Sequence, residues 1–313
     1  MKSKILTITM NPSIDKSTSV DCLLAEKKLK CSEPKSEPGG GGINVSRVIK
    51  RLGNDTIAAY LSGGDNGKLL KQLLIKENIK TKAITCFNNT RENLNVFDQK
   101  NKLQYRFLMP SATIFENEWK KLISEIERVS NIEYLVCSGS IPIGIPDDIL
   151  RTIYSIAKMK KIKLIVDSSG NPLKEIIKDS VYLLKPNINE LSSLIGKETL
   201  STNDATSLAK SFVSKGICEI MVISLGEEGA LLIEKESVHK ISPPSIIKLS
   251  TVGAGDSMVA GIVSKLADKK EILEAVKYGV ACGTAAAMNQ GTELCYKADA
   301  DQLFLNISST EIV

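Results

Sequence analysis

Apolar and polar positions change rhythm several times along the chain. Ile5-Leu6-Thr7-Ile8-Thr9-Met10 is a short, mostly apolar run that predicts a first strand. Val45, Val48, Ile49 and Leu52 then mark one helical face, closed by Gly53. Leu69, Leu70, Leu73 and Leu74 place another helix over 66–77. Between 91 and 108 the period shortens to two. Leu94 and Val96 alternate with polar residues, Gln99-Lys100-Asn101-Lys102 can turn, and Leu103, Tyr105 and Phe107 alternate again. That pattern predicts an antiparallel hairpin. The preceding stretch 16–36 is polar and lacks core-grade apolar runs. The hairpin and this excursion are expected to pair as a small sheet over a site, a lid or dimer surface taken from about 12–37 and 88–110.

From residue 115 onward the rhythm is regular. A helix carries Trp119, Leu122, Ile123 and Ile126. Strands at 134–137, 164–167, 182–184 and 220–223 alternate with helices near 147–158 and 203–214. A helix with Met258, Val259, Ile262 and Leu266 follows Asp256, and a last helix is expected near 271–288. Buried runs alternating with helices predict right-handed βαβ units. The expected fold class is α/β, with a central mostly parallel sheet flanked by helices, and one domain over 1–313 with the lid inserted in it.

Composition narrows the function. The chain has 313 residues, 42% apolar and 25% charged, as in ordinary soluble globular proteins. Aromatics are only 4%, and the net charge is +5, from 41 basic and 36 acidic residues that are scattered. These features argue against nucleic-acid binding, and no run approaches transmembrane length. A mild basic excess suits a phosphorylated substrate. Seven cysteines without CxxC spacing and one histidine, His239, give little support to zinc or thioredoxin chemistry. Cys137 and Cys282 fit as small buried hydrophobes, and His239 as a surface or turn residue. The expected compartment is a reducing cytoplasm.

The chemistry concentrates where strands end. Gly253-Ala254-Gly255-Asp256 is a tight turn opening a helix, where unpaired N–H groups favour an anion. Asp256 is either a base acting on a hydroxyl beside a transferring phosphoryl group or a simple helix cap. Pro38-Gly39-Gly40-Gly41-Gly42-Ile43-Asn44 is a second glycine turn, a ligand-facing approach or a linker. Asp15 lies just past the first strand and can accept from sugar hydroxyls or merely form a turn. Arg91, at the hairpin base, can fork onto a phosphate or sit in a surface ion pair. Asn187 and Glu190 stand three apart at a helix start, suited to a hydrated Mg²⁺ or to a capping box. Ser224, Gly226 and Gly229 form a turn for a nucleotide or a plain hairpin into Ala230–Ile233. Gly279, Val280 and Gly283 permit close approach of a helix or an adenine ring.

Two of these stretches together resemble the ribokinase-like PfkB carbohydrate kinases: Gly39–Val45, and far downstream Thr251-Val252-Gly253-Ala254-Gly255-Asp256-Ser257, with Lys185-Pro186-Asn187 and Glu190 between them. The resemblance covers essentially the whole chain. Glu37-Pro38-Gly39, Gln104-Tyr105-Arg106-Phe107, Met109-Pro110, Val166-Asp167-Ser168-Ser169-Gly170 and Asn289-Gln290-Gly291-Thr292 are similar to the family's 6-phosphofructokinase branch. Gly41 stands where fructose-1-phosphate and tagatose-6-phosphate kinases usually carry lysine. The resemblance implies transfer from MgATP to O1 of fructose 6-phosphate, with those two kinases as alternatives and a sugar-phosphate-binding regulator as a non-enzyme one. It implies Asp256 as base and the N–H groups of Gly253, Ala254, Gly255 and Asp256 as anion hole. Asp15, Gly40, Gly41 and Asn44 would hold the sugar, and Arg91, Lys28, Lys30 and Ser140 its phosphate. Lys185, Asn187, Ser224, Gly226, Gly229, Val280 and Thr284 would line the ATP site, with Glu190 and Asn187 toward Mg²⁺. K⁺ is implied near Ser250, Val252, Ala286, Asn289 and Gly291. Lys30 replaces a usual arginine and Glu293 a usual basic residue. The resemblance also implies homodimers joined through the lid strands and inhibition by ATP at a second site.

Overall fold

Alternate residues of the buried strands face two separate apolar layers. In the first strand Ile5 faces one layer, and Leu6 and Ile8 the other; in the strand beside it Tyr134 and Val136 oppose Leu135 and Cys137. Side chains alternate across a sheet with period two, so such runs require cover on both faces. The computed structural model describes residues 4–312.

The chain opens with β1 (Ile5–Thr9), β2 (Ser13–Val20), β3 (Lys35–Gly39) and α1 (Gly41–Arg51). It continues with β4 (Thr56–Gly63), α2 (Gly64–Lys76), β5 (Lys80–Cys86) and the hairpin β6 (Arg91–Asp98) and β7 (Leu103–Phe107). Next come α3 (Glu116–Arg128), β8 (Tyr134–Ser138), α4 (Ile149–Lys160), β9 (Lys163–Asp167), α5 (Asn171–Ile176) and β10 (Val181–Leu184). Then follow α6 (Ile188–Leu194), α7 (Thr202–Ser214), β11 (Cys218–Ser224), β12 (Ala230–Ile233) and β13 (Val238–Ser242). The chain closes with α8 (Ala254–Ala267), α9 (Ile272–Ala287), α10 (Lys297–Phe304) and β14 (Ser308–Glu311).

Ten strands form one sheet in the order β14-β13-β12-β11-β10-β9-β8-β1-β4-β5. The run from β5 to β11 is parallel, and β12, β13 and β14 are antiparallel. The α/β reading holds. Three details differ from the sequence expectation. β4 and β5 extend the parallel sheet ahead of residue 115. The helix near 271–288 is followed by α10 and by β14 on the sheet edge. His239 sits half-buried within β13 rather than in a turn. Among the described residues no helix is long and apolar enough to cross a membrane, and all seven cysteines are free, with Cys137 and Cys282 buried.

The second sheet has the order β3-β2-β6-β7, with β2 and β6 parallel and the outer pairs antiparallel. The polar excursion and the hairpin thus pair as expected, although β2 starts at Ser13 and takes in Asp15. Register puts Ser13, Asp15, Ser17, Arg91, Asn93, Asn95 and Gln104 on one face, with Leu94, Val96, Leu103, Tyr105 and Phe107 on the other. Contacts tie the polar side to the loop after α9 and to the segment before α8. Thr292 Oγ1 donates to Glu37 Oε2 at 2.7 Å, Lys35 Nζ pairs with Glu293 at 2.7 Å, and Ser250 Oγ stands 3.0 Å from Gln104 Oε1. Glu293, unusual in charge, therefore has a lysine of β3 as its partner. Below, the fully buried Arg47 bonds Glu77, the Pro38 carbonyl and Glu37.

Candidate active site

The C-terminal edge of the parallel sheet carries a row of polar side chains on three adjacent strands. Ser138, the last residue of β8, is in register with Asp167, the last of β9. Lys185 follows β10 immediately, and its Nζ pairs with Asp167 Oδ1 at 3.0 Å. Ser138 Oγ donates toward Asp167 Oδ2 at 3.3 Å and Asp256 Oδ1 at 3.2 Å. Asn44 Nδ2, from the first turn of α1, donates to Asp256 Oδ2 at 2.9 Å. Burial, with the Asp167 carboxylate beside it, pushes the Asp256 carboxyl up to about 6 against the opposing pull of Asn44, Lys185 and Ser138. A carboxyl so placed is ionised near neutral pH and basic enough to accept a proton.

Asp256 is not a helix cap. Gly253 occupies that position at φ 71, and the Asp256 side chain bonds Asn44 and Ser138 instead. Positive φ there favours glycine, and a side chain would strike Leu294 Cδ2 at 2.3 Å. Among the described residues the N–H groups of Gly253, Gly255 and Asp256 have no protein acceptor, and Ala254 N makes only a 3.4 Å contact with Thr251 O. This cluster of free donors at a helix start is suited to an anion. Lys185 reinforces it from below, since a side-chain carbon at Gly255 would stand 3.6 Å from Lys185 Nζ. Burial works to lower the Lys185 pKa, but Asp167, Glu190 and Asp256 outweigh it and keep the ammonium charged.

On one side of this turn lies a cleft of about 890 Å³. Asn187, Ser224, Gly226, Gly229, Val280 and Thr284 all line it, with Ala254 and Gly255 at its inner end. The turn at 225–229 does lead into an antiparallel strand, and it lines the cleft as well. Small residues of α9 likewise serve both expected ends. Gly279 packs against Met258 and Ile262 of α8, while Val280, Gly283 and Thr284 face the cleft. Lys185 does not line the cleft wall; it is buried beside Asp167, with its Nζ under Gly255 at the cleft's edge. Pro243, Pro244, Ser245, Ile246 and Lys248 form a wall that carried no sequence signal.

Asn187 and Glu190 form a capping box, with Glu190 N donating to Asn187 Oδ1 at 2.8 Å and Asn187 N to Glu190 Oε2 at 2.9 Å. Glu190 Oε1 has no hydrogen-bond partner among the described residues. Burial, together with Asp167, pushes the Glu190 carboxyl up. No cluster of three acidic, histidine or cysteine ligands occurs among the described residues. That donor set fits Mg²⁺ that keeps most of its ligands as water and phosphate oxygens. The 249–252 and 286–291 segments come together, with Ser250 Oγ donating to Gly291 O at 2.9 Å, Leu249 N to Ala287 O and Asn289 N to Ala286 O. Ser250, Val252, Ala286, Asn289 and Gly291 are thus neighbours in two packed segments. Their oxygen-only donors fit a monovalent cation, although the carbonyls of Ala286 and Gly291 already accept one bond each.

On the other side of Asp256 lies the small sheet. Asp15 is a strand residue, not a turn former. Its Oδ1 accepts from Ser13 Oγ at 2.7 Å and Asn93 Nδ2 at 2.8 Å, leaving Oδ2 against Gly39. Gly40, at φ 110, is the N-cap of α1 and packs on Thr9 and Pro12. Gly41 packs on Ser138 and Gly139. Arg91 makes no ion pair among the described residues. Its terminal nitrogens reach the Met109 and Asn11 carbonyls at 3.5 and 3.4 Å, and its Nε is buried without a partner. Burial lowers its pKa, against Asp15. A half-buried guanidinium with an unpartnered Nε and no direct ion pair is suited to receive an anion. Ser140, bonded by Asn11 Nδ2 at 2.9 Å, stands nearby. Lys28 and Lys30 are exposed on the segment between β2 and β3, with no bond to these residues.

A polar sheet face, a carboxyl raised to about 6, a set of free N–H donors and a cleft of about 890 Å³ thus converge. The sequence matches the profile of the pfkB family carbohydrate kinases over residues 8–299. The chain belongs to the pfkB family. This pfkB kinase is 39% identical over 306 residues to the ATP-dependent 6-phosphofructokinase isozyme 2 of Escherichia coli, covering 97% of this chain and 99% of that one. It is 32% identical over 309 residues to the 1-phosphofructokinase of Borreliella burgdorferi, covering 98% and 99%. The crystal structure of Escherichia coli phosphofructokinase-2 in complex with potassium superposes with a TM-score of 0.92 at 39% identity, covering 97% of this chain and 99% of that one. The same Escherichia coli protein in complex with fructose-6-phosphate gives 0.91 at 37% identity, with the same coverage. This pfkB kinase is accordingly a phosphotransferase of the carbohydrate kinase class.

Proposed function

We propose that this kinase transfers the terminal phosphoryl group of ATP to O1 of fructose 6-phosphate, giving fructose 1,6-bisphosphate. The observation that carries the reading is Asp256, a carboxyl raised to about 6 beside unpaired N–H groups, between a nucleotide-sized cleft and a polar sheet face. Asp256 takes the O1 proton as the O1–P bond forms and the bond to the ADP oxygen breaks. The N–H groups of Gly253, Ala254, Gly255 and Asp256 stabilise charge on the group in transfer. Asp15 Oδ2, Gly40 and Asn44 hold the sugar, and Arg91, Ser140, Lys28 and Lys30 its phosphate. Ser224, Gly226, Gly229, Val280 and Thr284 receive the nucleotide. Mg²⁺, toward Glu190 and Asn187, would neutralise phosphate charge, and K⁺ would be held near Ser250.

The polar face of the small sheet, opposite Leu103 and Phe107, supports its role as a lid whose outer face pairs with a second copy. Gly41 supports fructose 6-phosphate over the alternatives, because kinases of fructose 1-phosphate and tagatose 6-phosphate usually carry lysine at that position. The similarity to a 1-phosphofructokinase makes that the competing reading. ADP release, coupled to a pyruvate kinase assay, should be measured with fructose 6-phosphate, fructose 1-phosphate and tagatose 6-phosphate. The highest kcat/KM is expected for fructose 6-phosphate. Equal turnover of fructose 1-phosphate would refute the Gly41 argument.

A further inference from the structure

Ser138 has no part in the reaction as written, yet its hydroxyl stands between the two carboxylates nearest the phosphoryl site. Oγ is 3.2 Å from Asp256 Oδ1 and 3.3 Å from Asp167 Oδ2. A serine has one proton to donate, so it serves one carboxylate at a time. Asp167 already has the Lys185 ammonium at 3.0 Å. Asp256 has only the neutral Asn44 amide as its other donor. The charged groups acting on Asp256 are Asp167, at the end of β9, and Lys185, after β10, while α1 and β8 present the neutral Asn44 and Ser138.

The hydroxyl is also confined. Ser138 is 6% exposed and locked in register with Asp167. The first residue of α1 closes over it. A side-chain carbon at Gly41 would stand 2.4 Å from Ser138 Oγ and 2.7 Å from Gly139 N. Glycine at 41 is what leaves the hydroxyl room to swing between its two acceptors.

We propose that Ser138 is a positioning residue that follows the reaction's proton. It donates to Asp256 while that carboxylate is ionised, and turns to Asp167 once Asp256 has taken the proton of the substrate hydroxyl. Ser138 keeps its own proton throughout and only changes acceptor. The bond between O1 and hydrogen breaks, that proton goes to Asp256, and O1 bonds to phosphorus. The ionised base is thereby stabilised before transfer, and Asp167 gains a second donor afterwards. This inference rests on Asp256 being the base.

The test compares Ser138→Ala, Ser138→Cys and Asp256→Asn by kcat and KM from pH 5 to 9, with a melting temperature for each. Removing a donor from an ionised base disfavours ionisation. Ser138→Ala should therefore move the acid limb of kcat upward by about one pH unit. It should lower kcat about tenfold while leaving both KM values within about twofold. Ser138→Cys keeps a weak donor in nearly the same shape and should give a smaller shift in the same direction. It carries the test alone if the alanine variant does not fold. An unmoved acid limb in a folded variant overturns the proposal, whatever happens to kcat or melting temperature. Asp256→Asn separates the two failures. If it keeps activity within about tenfold, the base reading falls and this inference with it. If it is inactive while Ser138→Ala keeps the native limb, only the role of Ser138 falls.

Discussion

At the scale of single residues, the site holds charge in an unfavourable state and uses it. Asp256 carries a folded pKa of about 6 against an ordinary 3.8, so the folded protein binds more protons than the unfolded chain between those values. Stability contributed by this group is greatest below 3.8 and falls as pH rises through about 6. Asp256→Asn should therefore melt higher than the native protein above pH 6, while its kcat falls by about three orders of magnitude or more. Calorimetry beside steady-state kinetics checks both, and an active or destabilised variant contradicts the assignment. Arg91→Ala should mainly raise KM for the sugar phosphate, about 30- to 1,000-fold, with kcat little changed. Saturation kinetics with an unchanged KM would remove Arg91 from the substrate. The glycine turns and Asp256 were legible in the sequence because a helix start after glycine leaves a strong local pattern. Ser138 and Asp167 were not singled out. Each is one polar residue closing a buried strand, and only the register of β8 on β9 makes them neighbours. Two signals were available: both strands end in a polar residue, and Asp167 lies in the string Val166-Asp167-Ser168-Ser169-Gly170 that carries the family resemblance.

At the scale of elements, the small sheet is anchored through the buried carboxylate of Glu37. Burial works to raise its pKa, but Thr292, Arg47 and Lys35 together hold it below the ordinary 4.5. Its contribution to stability is full above 4.5 and is lost as pH falls through the lowered folded value. Glu37→Gln should lower the melting temperature at pH 7 and reduce its acid dependence below about pH 4.5; thermal melts from pH 3 to 8 read both. The hairpin β6–β7 was visible because alternation and a polar turn are local. β4 and β5 escaped because Thr56-Ile57-Ala58-Ala59-Tyr60 gains its cover from α1 and α2, and because β5 is an edge strand with mixed polarity. The partner of Lys185 was hidden for a related reason. The lysine's position after β10 was plain, but its pairing with Asp167 is set by the neighbouring strand.

At the scale of the whole molecule, one helix N-terminus joins two half-sites that the chain builds far apart. The cleft comes from residues after 186, and the side proposed to hold the sugar from residues before 141. Leu103, Phe107, Leu108 and Met109 stay exposed on and beside the edge strand of the small sheet. Leu103→Glu combined with Phe107→Glu should shift the protein to monomer in sedimentation and raise KM for the sugar phosphate. A native-sized oligomer from the variant would place the interface elsewhere. The pair Lys35–Glu293 has a further consequence. Its side chains are 58% and 35% exposed, so dissolved ions screen it. Where product escape limits turnover, weakening this clasp speeds each cycle. kcat should rise with added tetramethylammonium chloride up to about 0.5 M, and Glu293→Gln should abolish that rise. The enzyme would then register the ionic strength of its surroundings through one lysine shared between Glu293 and Glu37.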